Sequence, residues 1–372
     1  MIKKEIEAFF ALVRAGLWEK DVCLSEYGKI DFGEIYRLAE EQSLVGIVAA
    51  GLAHLVDIKA PQGIVLQFVG QTLQLEQSNS AMNSFIGDLV EKMRTADIYA
   101  LLLKGQGVAQ CYERPLWRSC GDIDLFFSED NYQKAKDLLL PLASTVEPEH
   151  PTSKHLGMTI DSWMVEIHGL LRCSLSCALN RELDNIWRDT FYNGNVRSWI
   201  NEDGLQVFLL GVENDIIYTF IHFLNHFYKG GVGLRQICDW IRLLWFFRTR
   251  VNRSSLEMRI RKSGLTNEWK AFGALAVDYL GMPEEAMPMY STDAKWKRKA
   301  AKICSFVIEV GNMGHNRDMN YYANDVYIIR KIKSLYKRLS DLSRHIRIFP
   351  MDSMRYLPNI IINGLRAAFK GE

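Results

Sequence analysis

The chain has 372 residues, 48% of them hydrophobic and 24% charged, with a formal net charge of +1. That length exceeds one small domain and predicts two or three lobes around a sizeable core. The near-zero charge balance excludes a global pull toward nucleic acid, and no apolar run is long enough to span a bilayer, so no membrane partner is expected. Seven scattered cysteines without a Cys-x-x-Cys pair, behind an N-terminus that lacks the apolar stretch of a secretory leader, read as reduced thiols and a cytoplasmic location.

Residues 1–97 read as an N-terminal helical lobe. Ile2 to Trp18 carries apolar residues at helical spacing, Gly33 to Leu55 is a second helical stretch, and Ile64 to Asp97 is a long helix. This lobe either packs on the strand that follows or lies along a substrate cleft.

Residues 98–200 read as an α/β core. Tyr99 to Leu103 is an uninterrupted apolar run that stops at Lys104-Gly105, as a buried strand entering a turn does. Gln106 to Arg114 suits a short helix, closed by Pro115. Gly121 opens a second strand, Asp122 to Phe127. Alternate side chains of a strand share a face, so Asp122 and Asp124 point one way and Ile123 and Leu125 the other. Two carboxylates side by side repel unless solvated or neutralised, and a divalent cation with hard oxygen ligands is the usual remedy. Ser128-Glu129-Asp130 starts a helix that ends near Pro141. Lys154 to Ile160 and Trp163 to His168 form a hairpin about Asp161-Ser162, and Glu166 and His168 share a face of its second strand. If that strand lies beside Asp122 to Phe127, three carboxylates converge at one end of the sheet.

Residues 201–372 read as a large C-terminal helical domain. Its helices span Leu205 to Tyr228, Leu234 to Arg248, Ser255 to Ser263, Glu268 to Leu280, Lys295 to Val310, Asp325 to Ile348 and Asn359 to Phe369. The whole is α+β, a small mixed sheet between an N-terminal helical lobe and a C-terminal helical domain.

Leu103-Lys104-Gly105, Arg118, Asp122-Ile123-Asp124-Leu125 and Val165-Glu166-Ile167-His168 resemble the bacterial "uncharacterised nucleotidyltransferase" family of the polymerase-β-like superfamily. The wider superfamily carries Gly-Ser or Gly-Gly where this chain has Lys104-Gly105. The resemblance implies a Mg²⁺-dependent (or Mn²⁺-dependent) enzyme that moves a nucleoside monophosphate from an NTP such as ATP to an acceptor, with pyrophosphate leaving. Asp122, Asp124 and Glu166 would hold two metal ions, and Glu166 would assist deprotonation of the acceptor. Lys104 and Gly105 would meet the phosphates, with Arg118 and His168 beside them. The acceptor, a hydroxyl or a phosphate, is open: a small-molecule hydroxyl, a sugar phosphate, a protein side chain or an RNA end.

Each residue has a plainer reading. The acids can be a solvated strand edge, Lys104-Gly105 an ordinary turn, and Arg114 or Arg118 a structural partner of a nearby acid. His168 can be a neutral structural histidine, and Lys154-His155 can meet the same face from the neighbouring strand. His222 and His226 share a helix face at a zinc-compatible spacing, but no third ligand or HExxH glutamate accompanies them. Arg235 and Asp239 are spaced for an ion pair along a helix. The basic stretch Arg330 to Arg347 is a solvated helix face or an RNA-facing patch. A competing function keeps the same fold as a catalytically silent nucleotide-binding or regulatory module, antitoxin-like in kind.

Overall fold

The computed structural model describes residues 2–149, 154–312, 340–358 and 362. The chain opens with helices α1 (Ile2–Trp18), α2 (Phe32–Glu41) and α3 (Val45–Ala53), then the 34-residue α4 (Gln62–Thr95). Asp31 caps α2 by accepting from the amides of Gly33 and Glu34. The stretch expected to be one helix from Gly33 to Leu55 is two, because Ser43 takes a left-handed φ of 54° between them.

The core follows as β1 (Leu101–Leu103), α5 (Gly105–Ala109), β2 (Asp122–Phe126), α6 (Glu129–Leu139), β3 (Thr145–Val146), β4 (His155–Ile160), β5 (Trp163–His168), α7 (Cys177–Phe191), β6 (Val196–Ile200) and β7 (Gln206–Leu210). These strands form one mixed seven-stranded sheet in the order β3-β4-β5-β2-β1-β7-β6. The hairpin stands where the sequence places it, turning at Asp161 (φ 46°) and Ser162 (φ 73°). β7 corrects the expectation of a helix starting at Leu205. A run such as Val207-Phe208-Leu209-Leu210 suits a strand buried beside β1 as well as it suits a core helix, and here it pairs parallel with β1. The sheet therefore runs past residue 200.

The chain continues as α8 (Val212–Lys229), α9 (Leu234–Phe246), α10 (Arg253–Lys262), α11 (Thr266–Asp278) and α12 (Ala294–Val310). Residues 340–348 and 350–358 are also helical. Most of the basic stretch from Arg330 to Arg347, and nearly all of Asn359 to Phe369, lie outside the described residues. No described helix is long and apolar enough to cross a membrane.

The sheet has two different faces. Ile123, Leu125, Val165, Ile167, Leu102 and Leu209 point to one side, where the second half of α4 and helix α6 cover them. Asp122, Asp124, Glu166 and His168 occupy the alternate positions and point to the other side, toward α8. The helices at the two ends of the chain share one core: α1–α3 pack with α8, α9, α11 and α12 around Phe9, Trp240, Trp269 and Phe272. The first helices therefore belong with the back of the chain, whereas α4 packs on the sheet. Trp18 Nε1 donates to the carbonyl of Leu280, and the buried Gln42 amide bridges the Leu234 amide and the Val307 carbonyl.

Candidate active site

β2 and β5 are adjacent and parallel, with Asp124 paired to Glu166. This register sets the alternating acids of the two strands side by side. One donor atom from each of Asp122, Asp124 and Glu166 lies within 4.8 Å of the others. Ile123 and Val165, between them in sequence, anchor the opposite face and fix the direction of the acids.

The three acids have unlike surroundings. Asp124 is buried; its Oδ2 lies 3.0 Å from Lys104 Nζ and its Oδ1 2.9 Å from His168 Nε2. Burial raises its pKa, but the Lys104 charge and the His168 hydrogen bond outweigh burial and hold it well below the usual range. Asp122 moves the other way. The neighbouring Asp124 charge, then burial, push its carboxyl up. Glu166 Oε2 meets His155 Nε2 at 3.1 Å and His168 Nε2 at 3.6 Å. A pair of carboxylates in which one destabilises the charge of the other is the arrangement a divalent cation relieves, and the donor set of three oxygens suits Mg²⁺ or Mn²⁺. The residues present thus fit the ion.

Lys104 caps the short α5 with a left-handed φ of 48°, and Gly105 repeats that value. Burial alone would lower the Lys104 pKa, yet Asp124, with Tyr218 and Asp122, raises it, so the ammonium stays charged. α5 is only five residues, shorter than the helix expected to Arg114.

Arg118 is paired with an acid outside the trio. It is buried, and its Nε and Nη2 hold Asp239 of α9 at 3.0 and 2.6 Å, with the Tyr112 hydroxyl donating to the same carboxylate. Asp239 therefore pairs with Arg118 rather than with Arg235. Arg235 Nη1 instead donates to the Ser119 carbonyl at 2.8 Å. Among the described residues, Arg118 Nη1 and Arg235 Nε are buried with no hydrogen-bond partner. Arg114 is paired bidentately with Glu19, away from the acids.

His222 and His226 bring their Nε2 atoms to 3.1 Å, and His222 Nε2 lies 3.4 Å from Lys104 Nζ. Burial, then Lys104, lower both imidazoles, His226 to about 4 and His222 well below its usual value. Among the described residues no third ligand completes a metal set with this pair. The position of His222 beside Lys104, 118 residues away in sequence, was invisible in the motif.

Two cavities flank the acids and share Lys104 and His222. One, of about 340 Å³, is lined by Gly105, Arg118, Asp122, Asp124, Arg235 and Gln236. The other, of about 230 Å³, is lined by His155, Glu166, His168, Arg172, Tyr218 and Asn225. A larger apolar cavity of about 480 Å³ lies between α3 and α4 around Leu52, Phe68 and Trp117, apart from these acids.

The model of a family described as "Uncharacterised nucleotidyltransferase" matches residues 28–281, more than half of the chain. No curated protein and no solved structure matches the chain.

Proposed function

Because the chain belongs to the uncharacterised nucleotidyltransferase family, we propose that it transfers a nucleoside monophosphate from an NTP to an acceptor at Asp122, Asp124 and Glu166, with Mg²⁺ or Mn²⁺, and releases pyrophosphate. The observation that carries this reading is the convergence of those three carboxylates within 4.8 Å, walled by cavities on two sides.

The cavity with Gly105, Arg118 and Arg235 receives the NTP in this proposal. Arg118 Nη1 and Arg235 Nε are buried cationic N–H groups without acceptors among the described residues, and phosphate oxygens supply them. The Lys104 ammonium, held charged beside Asp124, adds a point charge to the same phosphates. The acceptor enters the second cavity, which reaches Glu166. There a Glu166 oxygen takes the proton of the acceptor hydroxyl, the freed oxygen attacks the α-phosphorus, and the bond to pyrophosphate breaks. A divalent cation bound to the three acids supplies neutralisation of the phosphate charge. At about 230 Å³ the second cavity suits a small molecule or one protein side chain better than an RNA end. The cysteines, none of them paired, fit a reducing cytoplasm.

One observation favours the second reading, a nucleotide-binding or regulatory module without turnover: both oxygens of Asp124 are taken, by Lys104 and by His168. Pyrophosphate release from each of the four NTPs, with Mg²⁺ or Mn²⁺ and pooled metabolites, proteins and RNA as acceptors, separates the two. Transfer predicts metal-dependent release that Asp122→Asn/Asp124→Asn lowers at least a hundredfold. NTP binding with equally little release from wild type and variant assigns the silent module.

A further inference from the structure

We infer that His155, Glu166 and His168 form a second metal site, selective for a borderline first-row transition ion such as Zn²⁺ or Co²⁺ over Mg²⁺. The site adjoins the carboxylate trio and shares Glu166 with it, but it rests on donor identity and geometry and not on the transfer reading.

The hairpin builds it. His155 and His168 are direct cross-strand partners in β4 and β5, and their rings stack with centroids 4.7 Å apart and planes 27° apart. Glu166 stands two residues before His168, so its carboxylate rises on the same face. The two imidazole nitrogens lie 3.1 Å and 3.6 Å from Glu166 Oε2, and all three donors lie within 4.8 Å of one another. Metal–ligand bonds of about 2.0–2.2 Å in a tetrahedron put donors about 3.3–3.6 Å apart, close to the two imidazole–Glu166 distances; one imidazole must swing out of the stack for both nitrogens to face one ion.

The donor set then selects the ion. Two imidazoles and one carboxylate are the ligands of open zinc sites, whereas Mg²⁺ prefers oxygen donors and retains its waters. Among the described residues three ligands are present, and a tetrahedral ion takes a fourth. The three residues line the 230 Å³ cavity together with Tyr218, His222 and Asn225, so the fourth position faces an open chamber. His168 Nε2 is also 2.9 Å from Asp124 Oδ1, so an ion on the histidines competes with that hydrogen bond. Occupancy of this site is thereby coupled to the carboxylate trio through Asp124 and Glu166.

The test is a Co²⁺ titration of the metal-stripped full chain without nucleotide, followed by visible absorption, with Mg²⁺ present in excess. One equivalent of Co²⁺ producing intense visible bands, displaced by Zn²⁺, is the expected result. His155→Gln and His168→Gln each weaken that binding at least tenfold, and Asp122→Asn retains it. In the wild-type chain, Zn²⁺ shifts the ¹⁵N resonances of two imidazole Nε2 atoms, a readout that needs no variant to fold. The inference is overturned if Mg²⁺ abolishes Co²⁺ binding, if His155→Gln binds like wild type while Asp122→Asn does not, or if no imidazole nitrogen shifts. Loss of pyrophosphate release with Mg²⁺ bears only on the transfer reading, because Co²⁺ binding is read without turnover.

Discussion

Glu268 of α11 is nearly inaccessible, and burial, then the nearby Asp352, push its carboxyl up to about 8. One oxygen accepts from the Tyr356 hydroxyl at 3.2 Å and the other has no partner among the described residues. The folded protein keeps the proton that the unfolded chain releases near 4.5, so stability present at low pH falls as pH rises from there through about 8. Glu268→Gln cannot ionise. Urea unfolding across pH 5–9 is expected to show a flatter profile for the variant and a gain of about 1–3 kcal/mol at the alkaline end. The Arg118–Asp239 pair has the opposite character, two buried charges that satisfy each other. Asp239→Asn leaves the guanidinium uncompensated and is expected to cost about 3–5 kcal/mol in the same measurement. The sequence raised an ion pair for each, Arg118 with a nearby acid and Asp239 with Arg235, but not this pairing. They stand 121 residues apart, and only the packing of α9 against the segment before β2 brings them together. The acids were legible because a strand imposes alternation, and two residues of separation on β2 were enough to place Asp122 and Asp124 on one face.

At the scale of elements, local signals decided what could be read. The β4–β5 hairpin announced itself by alternation and by a polar two-residue turn. The break between α2 and α3 has no Gly or Pro to mark it, and β7 lies where an apolar run reads equally as helix. The contact of α1 with α3 depends on small residues at one crossing. A Cβ on Gly51 would stand 2.1 Å from the Leu12 carbonyl oxygen, and one on Gly16 would stand 1.9 Å from that of Ile47. Both obstacles are backbone, which cannot step aside as a side-chain tip can. Gly51→Ala is therefore expected to lose about 1–3 kcal/mol of stability, seen as a lower thermal midpoint, although alanine favours helix.

The whole molecule is assembled across its sequence. α1–α3 contribute to a core whose other walls are α8, α9, α11 and α12, and the sheet with its acids stands against that core. A fragment ending at Gly211 contains every described strand and all three candidate acids. It is nevertheless expected to fail to fold, because Phe9, Leu12 and Ile35 would face water where the back helices should be. Circular dichroism melting and size-exclusion chromatography check this; a cooperative, monomeric fragment would show that the front of the chain is self-sufficient. The fold class followed from element types, but this shared core could not be read from periodicity, which says which face is apolar and not which distant helix covers it.

The bond from Trp18 to Leu280 joins residues 262 positions apart. At synthesis rates of about 5–20 residues per second, the first helix leaves the ribosome on the order of 10–50 s before its partner exists. During that interval α2 and α3 can cover part of it, but the face that packs on the back helices has no native cover. Chaperone supply and translation speed, rather than the thermodynamics of the finished protein, should then govern how much of it reaches the native state in a cell.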